Sequence, residues 1–115
     1  MATGGSWIGP APLSVIRSVT DQGDHHLALT GELDMSNLHL VREALLGILD
    51  EPGVTGVTVD LAALEFMDSM GVQVLLQARR RAMSRQIRLA VINARGRTLR
   101  VLTIIGVHDL LATGA

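Results

Sequence analysis

The sequence predicts an α/β domain built on a mixed, mostly parallel sheet of four to five strands. Two observations predict it. Segments with strand patterning and segments with helical patterning follow one another in the order β-β-α-β-α-β-α. Strands separated by single helices make right-handed crossovers and parallel pairs. The first two strands are instead joined by turn chemistry, which adds one antiparallel pair.

Each element has its own signal. Leu13 to Val19 and His25 to Thr30 read as strands, and Asp21-Gln-Gly-Asp24 between them makes a hairpin. Ser36 and Asn37 are good helix N-cap types, and Leu38, Val41, Leu45, Ile48 and Leu49 then recur at helical spacing. Pro52-Gly53 stops that helix. Val54 to Leu61 reads as a central strand covered on both faces. The helix after Ser69 is expected to bury Val72, Leu75, Leu76, Ala78 and Ala82. Ile87 to Ile92 reads as another covered strand, and a third helix from about Arg95 turns Leu99, Val101, Leu102 and Ile105 inward. Gly106 stands where a left-handed helix terminator belongs, and Val107 to Leu111 reads as a last short helical turn.

The chain has 115 residues, enough for one compact domain and too few for two. Residues 1–12 read as a flexible polar arm without the basic start and apolar run of a secretory signal, and 13–112 as the domain. Hydrophobic residues make up 48% but aromatics only 2%, so the core is aliphatic. Cysteine is absent, which excludes disulfides and thiolate metal sites. No apolar run approaches the roughly 18 residues of a membrane span, so a cytoplasmic protein is expected. Net charge is −1, but it is unevenly placed: residues 1–68 hold ten of the eleven acids, and 69–115 hold eight of the ten arginines. The simplest outcome is that the two halves mix on one folded surface.

The most informative stretch is Leu64-Glu-Phe-Met-Asp-Ser-Met-Gly-Val72, where a strand runs through a short connection into a helix. It places Ser69 at the positive end of a helix dipole, as a cap or as a place for phosphate. Met70 and Val74 fall on the stripe opposite Val72 and Leu75, together with Gln77 and Arg81. An apolar residue beside an exposed hydroxyl suggests a partner surface. Asp34 reads equally as an Asx turn and as a contact residue, and Ser36 more as a cap than as a phosphate acceptor.

These residues resemble a family. Leu29-Thr-Gly-Glu-Leu-Asp34, Val59-Asp60-Leu61, Phe66-Met-Asp-Ser-Met-Gly71 and Arg100-Val-Leu-Thr-Ile-Ile-Gly-Val107 occur in the order found in stand-alone STAS domains of the anti-sigma factor antagonist type. The resemblance covers Leu13 to Leu111 and implies a switch. In that family the serine after the aspartate, here Ser69, is phosphorylated by an anti-sigma factor. That partner is a serine kinase of the histidine-kinase-like ATPase fold. The unphosphorylated antagonist binds the kinase and frees the sigma factor, and a serine phosphatase resets the cycle. The resemblance also places Asp34 near Asp68 and Ser69. The family usually has Ser or Thr after the acceptor; here Met70 leaves Ser69 as the sole hydroxyl in the loop. The expected contact set is therefore Asp34, Ser36, Asp68, Ser69, Met70, Val74 and Gln77, on a chain that is a monomer when free.

Other chemistries lack support. Arg79-Arg80-Arg81 point different ways around a helix, and a chain almost without aromatics offers no base-stacking platform, so direct nucleic-acid binding is not expected. His25, His26, His39 and His108 have no metal-ligand spacing and read as surface residues. No phosphate loop, nucleophile elbow or Ser-His-Asp order is present, so neither a cofactor nor catalysis by this chain is expected. The rival readings are a non-switching STAS subunit bound to a transporter ATPase or a stress-sensing scaffold, and direct nucleotide binding.

Overall fold

The structure is a computed structural model that describes residues 12–112. Apart from Pro12, the expected N-terminal arm lies outside the described residues. The hairpin forms as expected: β1 (Ser14–Val19) and β2 (Asp24–Leu33) pair antiparallel, with Val15 opposite Leu29 and Val19 opposite His25. Helix α1 (Leu38–Leu49) leads to β3 (Gly56–Met67), α2 (Ser69–Ser84), β4 (Arg88–Ile92), α3 (Gly96–Ile105) and α4 (His108–Ala112). The sheet order is β1-β2-β3-β4, and both the β2–β3 and β3–β4 pairs are parallel.

The core lies on one face of the sheet. Leu27, Leu29 and Leu33 of β2, Val57, Val59 and Leu61 of β3, and Leu89 and Val91 of β4 are buried there. Val41, Leu45, Ile48 and Leu49 of α1, Val72, Leu75, Ala78 and Ala82 of α2, and Leu102 of α3 belong to the same core. The reverse face carries His26, Ala28, Thr58, Asp60, Ala90 and Ile92, all half-buried, and no described helix covers it. The expectation that β3 and β4 are covered on both faces is therefore corrected. Val57, Val59 and Leu61 alternate with Thr58 and Asp60, the period-two pattern of a strand with one solvated face.

Three further readings change. β3 runs six residues beyond Leu61, to Met67, so Leu64–Met67 is strand rather than connection. It gains one residue on β2 between the pairs Ala28–Asp60 and Thr30–Ala63, and another between Gly31–Leu64 and Glu32–Phe66. Such bulges bend a strand and re-aim its end. His25 is buried rather than at the surface, because it shares the helix-side face with Leu27; its Nδ1 lies 3.1 Å from Arg17 Nη2. In α3 the buried residues are Thr98 and Leu102, while Ile105, expected inward, is 40% exposed in the last turn. Thr98 Oγ1 reaches toward the carbonyl of Leu64.

Gly106 ends α3 as expected, at φ +88°. Its N–H and that of Val107 both donate to the Leu102 carbonyl, closing a terminal turn that a side chain would strain. The two charge halves do mix: Arg81 and Arg85 of the second half meet Asp50 of the first. Among the described residues, no helix is long and apolar enough to cross a membrane.

Candidate functional site

Two parallel strands end side by side and define the site. Leu33, the last residue of β2, pairs with Met67, the last residue of β3. Neighbouring strands lie about 4.8 Å apart, so the residues that follow, Asp34 and Asp68, leave the sheet at the same rim. The proximity implied by the family resemblance thus has a structural cause in the β2–β3 register.

Asp68 starts α2. Its backbone is extended, and its Oδ1 accepts hydrogen bonds from the N–H groups of Met70 (3.0 Å) and Gly71 (3.2 Å). Its carbonyl accepts from Gly71 and Val72. The capping duty therefore belongs to Asp68, and Ser69, the first helical residue, is exposed. Ser69 Oγ has no hydrogen-bond partner among the described residues. This also revises the expected benefit of the helix terminus to a phosphate. The amides of residues 70–72, which would hold an anion, are already engaged by Asp68. A phosphate on Ser69 would keep its charge facing outward.

The start of α2 sits tightly on the core. A methyl group added at Gly71 would fall 2.9 Å from Met67 Sδ and 3.1 Å from Leu33 Cδ2, and closer still to Met67 Cγ. Both neighbours are fully buried. A glycine at this position lets the first turn of the helix lie against the ends of β2 and β3, which fixes the outward direction of Ser69.

The loop from Asp34 to Asn37 is tied to its own strand. Asn37 Oδ1 accepts from the Asp34 N–H (2.9 Å), and Asn37 Nδ2 donates to the Glu32 carbonyl (2.9 Å). Asp34 Oδ1 accepts from the N–H of Ser36 (2.9 Å) and from its hydroxyl (2.6 Å). The expectation that Ser36 or Asn37 caps α1 through its side chain is corrected. Asn37 occupies the N-cap position, but its side chain turns back to β2, and Ser36 is spent on Asp34. The hydroxyl of Ser36, its backbone N–H and that of Asn37 together hold the Asp34 carboxyl below its usual value of 3.8, against a smaller upward push from burial. Asp34 is therefore an anion throughout the neutral range.

Met70 is 44% exposed beside Ser69, and Gln77 is exposed two turns further along α2. Val74 does not belong to this surface. It is 3% exposed, because it lies one turn from both Gly71 and Ala78 on a buried face of α2 that is wider than the stripe of Val72 and Leu75. The sequence reading missed Met35. Held between Asp34 and Ser36, it is 74% exposed, an apolar side chain displayed by a hydrogen-bonded loop. The available signal was its place among turn-forming residues, where a methionine has no core to enter.

A second polar cluster ties the reverse face. Asp60 Oδ1 accepts from Asn93 Nδ2 and the Ala62 N–H, both at 3.0 Å, and Oδ2 lies 3.2 Å from His26 Nε2. Burial pushes the Asp60 carboxyl up, but these hydrogen bonds and the neighbouring His26 ring together bring it below 3.8. The cluster joins β2, β3 and the turn after β4, away from the Ser69 rim.

The model of the STAS domain family described under the name MlaB matches residues 17–112. The chain belongs to the STAS domain family. Among solved structures, the anti-sigma factor antagonist SpoIIAA in its unphosphorylated form aligns with a TM-score of 0.75 at 22% identity, over 84% of each chain. An anti-sigma factor antagonist from Mycobacterium paratuberculosis aligns at 0.77 and 19%, over 87% of this chain and 83% of that one. SpoIIAA of Bacillus in its phosphorylated form aligns at 0.70 and 21%, over 86% and 88%. At these identities the likeness establishes the fold. No curated protein matches the chain.

Proposed function

We propose that this STAS domain is an anti-sigma factor antagonist whose state is stored on Ser69. In this reading the unphosphorylated chain docks on an anti-sigma serine kinase through Asp34, Met35, Ser36, Ser69, Met70 and Gln77, and the kinase releases its sigma factor. Phosphate on Ser69 ends the docking, and a serine phosphatase restores it. The observation that carries the reading is the division of labour at the start of α2. Asp68 satisfies the helix, so Ser69 keeps an exposed, unengaged hydroxyl on a rim with Asp34 and two displayed methionines. That SpoIIAA, of the same fold, has been solved with and without phosphate supports a fold that tolerates the modification.

The switching energy follows from charge. Phosphorylation adds roughly −1.5 to −2 charges. In the free chain water screens them. Inside an interface they must be desolvated beside Asp34 and Asp68, with the first amides of α2 already occupied. The test is to incubate the chain with an anti-sigma kinase and Mg-ATP, locate phosphate by mass spectrometry, and compare kinase affinity of Ser69→Ala and Ser69→Asp. Phosphate on Ser69, tight binding by the alanine variant and weakening of at least tenfold by the aspartate variant are expected. Equal affinities would refute the switch.

A second reading is a non-switching STAS subunit docked on a transporter ATPase or a stress-sensing scaffold, favoured by Met70 standing where the family resemblance leads one to expect a second hydroxyl. The two part at Ser69. A constitutive subunit would co-purify with its ATPase in the Ser69→Ala and Ser69→Asp backgrounds alike.

A further inference from the structure

A cleft that Ser69 does not line stands at the carboxyl end of β4. The β3–β4 pairing stops at Asp60 and Ile92, whereas β3 continues to Met67. Beyond the end of β4 the free flank of β3 meets the start of α3, and a cleft of about 470 Å³ opens between them. Leu64 and Glu65 line it from β3, Arg95, Gly96 and Arg97 from the other side. This volume lies within the range of small-molecule clefts.

The two arginines are held in place by uncharged groups. Arg95 Nε donates to the Ala62 carbonyl at 2.5 Å. Arg97 lies over the Phe66 ring, its guanidinium carbon 5.3 Å from the centroid. Each tether orients a guanidinium without neutralising it. Among the described residues neither Arg95 nor Arg97 has a carboxylate partner, as is also true of Arg42, Arg80, Arg88 and Arg100; what sets Arg95 and Arg97 apart is that both line one cleft. Glu65 shares the cleft and pairs with neither, although two cations and one carboxylate stand around the same space. The first turn of α3 contributes no acidic side chain.

We propose that this cleft binds a small phosphate monoester bearing hydroxyl groups. The two guanidinium forks take the phosphate oxygens, the bidentate geometry for which arginine is suited. Glu65 accepts a hydrogen bond from a hydroxyl of the organic part, which turns a repulsive wall for a bare anion into a selective one for an ester. The site is independent of the Ser69 switch and stands whether or not Ser69 is phosphorylated.

The experiment is a ¹⁵N–¹H NMR titration of the whole chain with ribose 5-phosphate, inorganic phosphate and ribose at constant ionic strength. Saturable shifts confined to residues 62–66 and 95–98 are expected with ribose 5-phosphate, with inorganic phosphate binding at least threefold more weakly and ribose giving none. Arg95→Gln/Arg97→Gln is expected to lose at least tenfold in affinity. Arg97→Lys, which keeps the charge and the fold but loses the fork, is expected to fall between. Glu65→Gln is expected to bind inorganic phosphate more tightly than the native chain does. No saturable shift in the native chain, shifts spread over all arginine-bearing surfaces, or unchanged affinity in the double glutamine variant would each overturn the proposal, showing an arginine patch with no ligand of this kind.

Discussion

Replacing Asp68 by alanine should reverse the sign of what phosphate on Ser69 does to stability. In the native chain one Asp68 oxygen serves the N–H groups of Met70 and Gly71. Removing an N-cap of this kind costs about 1 kcal/mol, within a range of roughly 0.5–2. For a domain of this size that lowers the melting temperature by about 4 °C. The same substitution releases the two amides toward solvent. An anion at a helix start is worth about 0.3–1 kcal/mol, rising to about 2 when well placed. Phosphorylating Ser69 in the Asp68→Ala chain should therefore recover most of the lost stability. In the native chain, where Asp68 holds those amides and adds its own charge, the same phosphate should give no gain or a small loss. The assay is a four-way cycle: native and Asp68→Ala chains, each with and without phosphoserine at position 69, compared by urea unfolding. A coupling of about 1 kcal/mol is expected. If phosphate shifts the unfolding midpoint equally in both backgrounds, Asp68 does not own the amides and the account of the outward-facing phosphate fails.

Three other outcomes follow from the geometry. Gly71→Ala should destabilise the chain by about 1–2 kcal/mol in spite of alanine's better helix propensity, because the added methyl meets buried Met67 and Leu33; a calorimetric melt at or above the native temperature would contradict this. Ser36→Ala should change the acid limb of stability. Asp34 has a lowered folded-state value, so its contribution is present above the unfolded value of about 3.9 and is lost as pH falls through the folded one. Urea midpoints of variant and native chains should then differ most near neutrality and converge in strong acid; a constant difference at all pH values would count against the Ser36–Asp34 bond. Leu45→Ala removes a fully buried side chain of α1 and should cost about 2–5 kcal/mol, read as a shift of the urea midpoint with little change in slope.

The order of elements was legible because each long segment keeps one period. Leu38, Val41, Leu45, Ile48 and Leu49 mark α1, and all five are buried. Gly106 was legible as a terminator because few residues accept its backbone conformation. The extension of β3 was not legible, since its bulges break the alternation through Ala62, Ala63, Glu65 and Phe66. Val74 was misplaced because the hydrophobic stripe of a helix says little about its width, and the small residues Gly71 and Ala78 let α2 sink deeper than Val72 and Leu75 alone imply. At the site, Asp34 and the Asp68-Ser69 pair were visible as residue types. Which of them caps the helix was not, since aspartate and serine are comparable N-caps and only the backbone angles of Asp68 decide. Met35 escaped notice because its signal, an apolar residue among turn formers, carries no periodicity.

The tether from Asn37 back to Glu32 has a consequence for variation. The loop's shape is written in the backbone and in the polar side chains of Asp34, Ser36 and Asn37, and the thioether at position 35 takes no part in it. That position is open to replacement by other shapes while the trace of the chain stays constant. If the proposed docking holds, a substitution at position 35 would reshape the contact surface and leave the interior untouched.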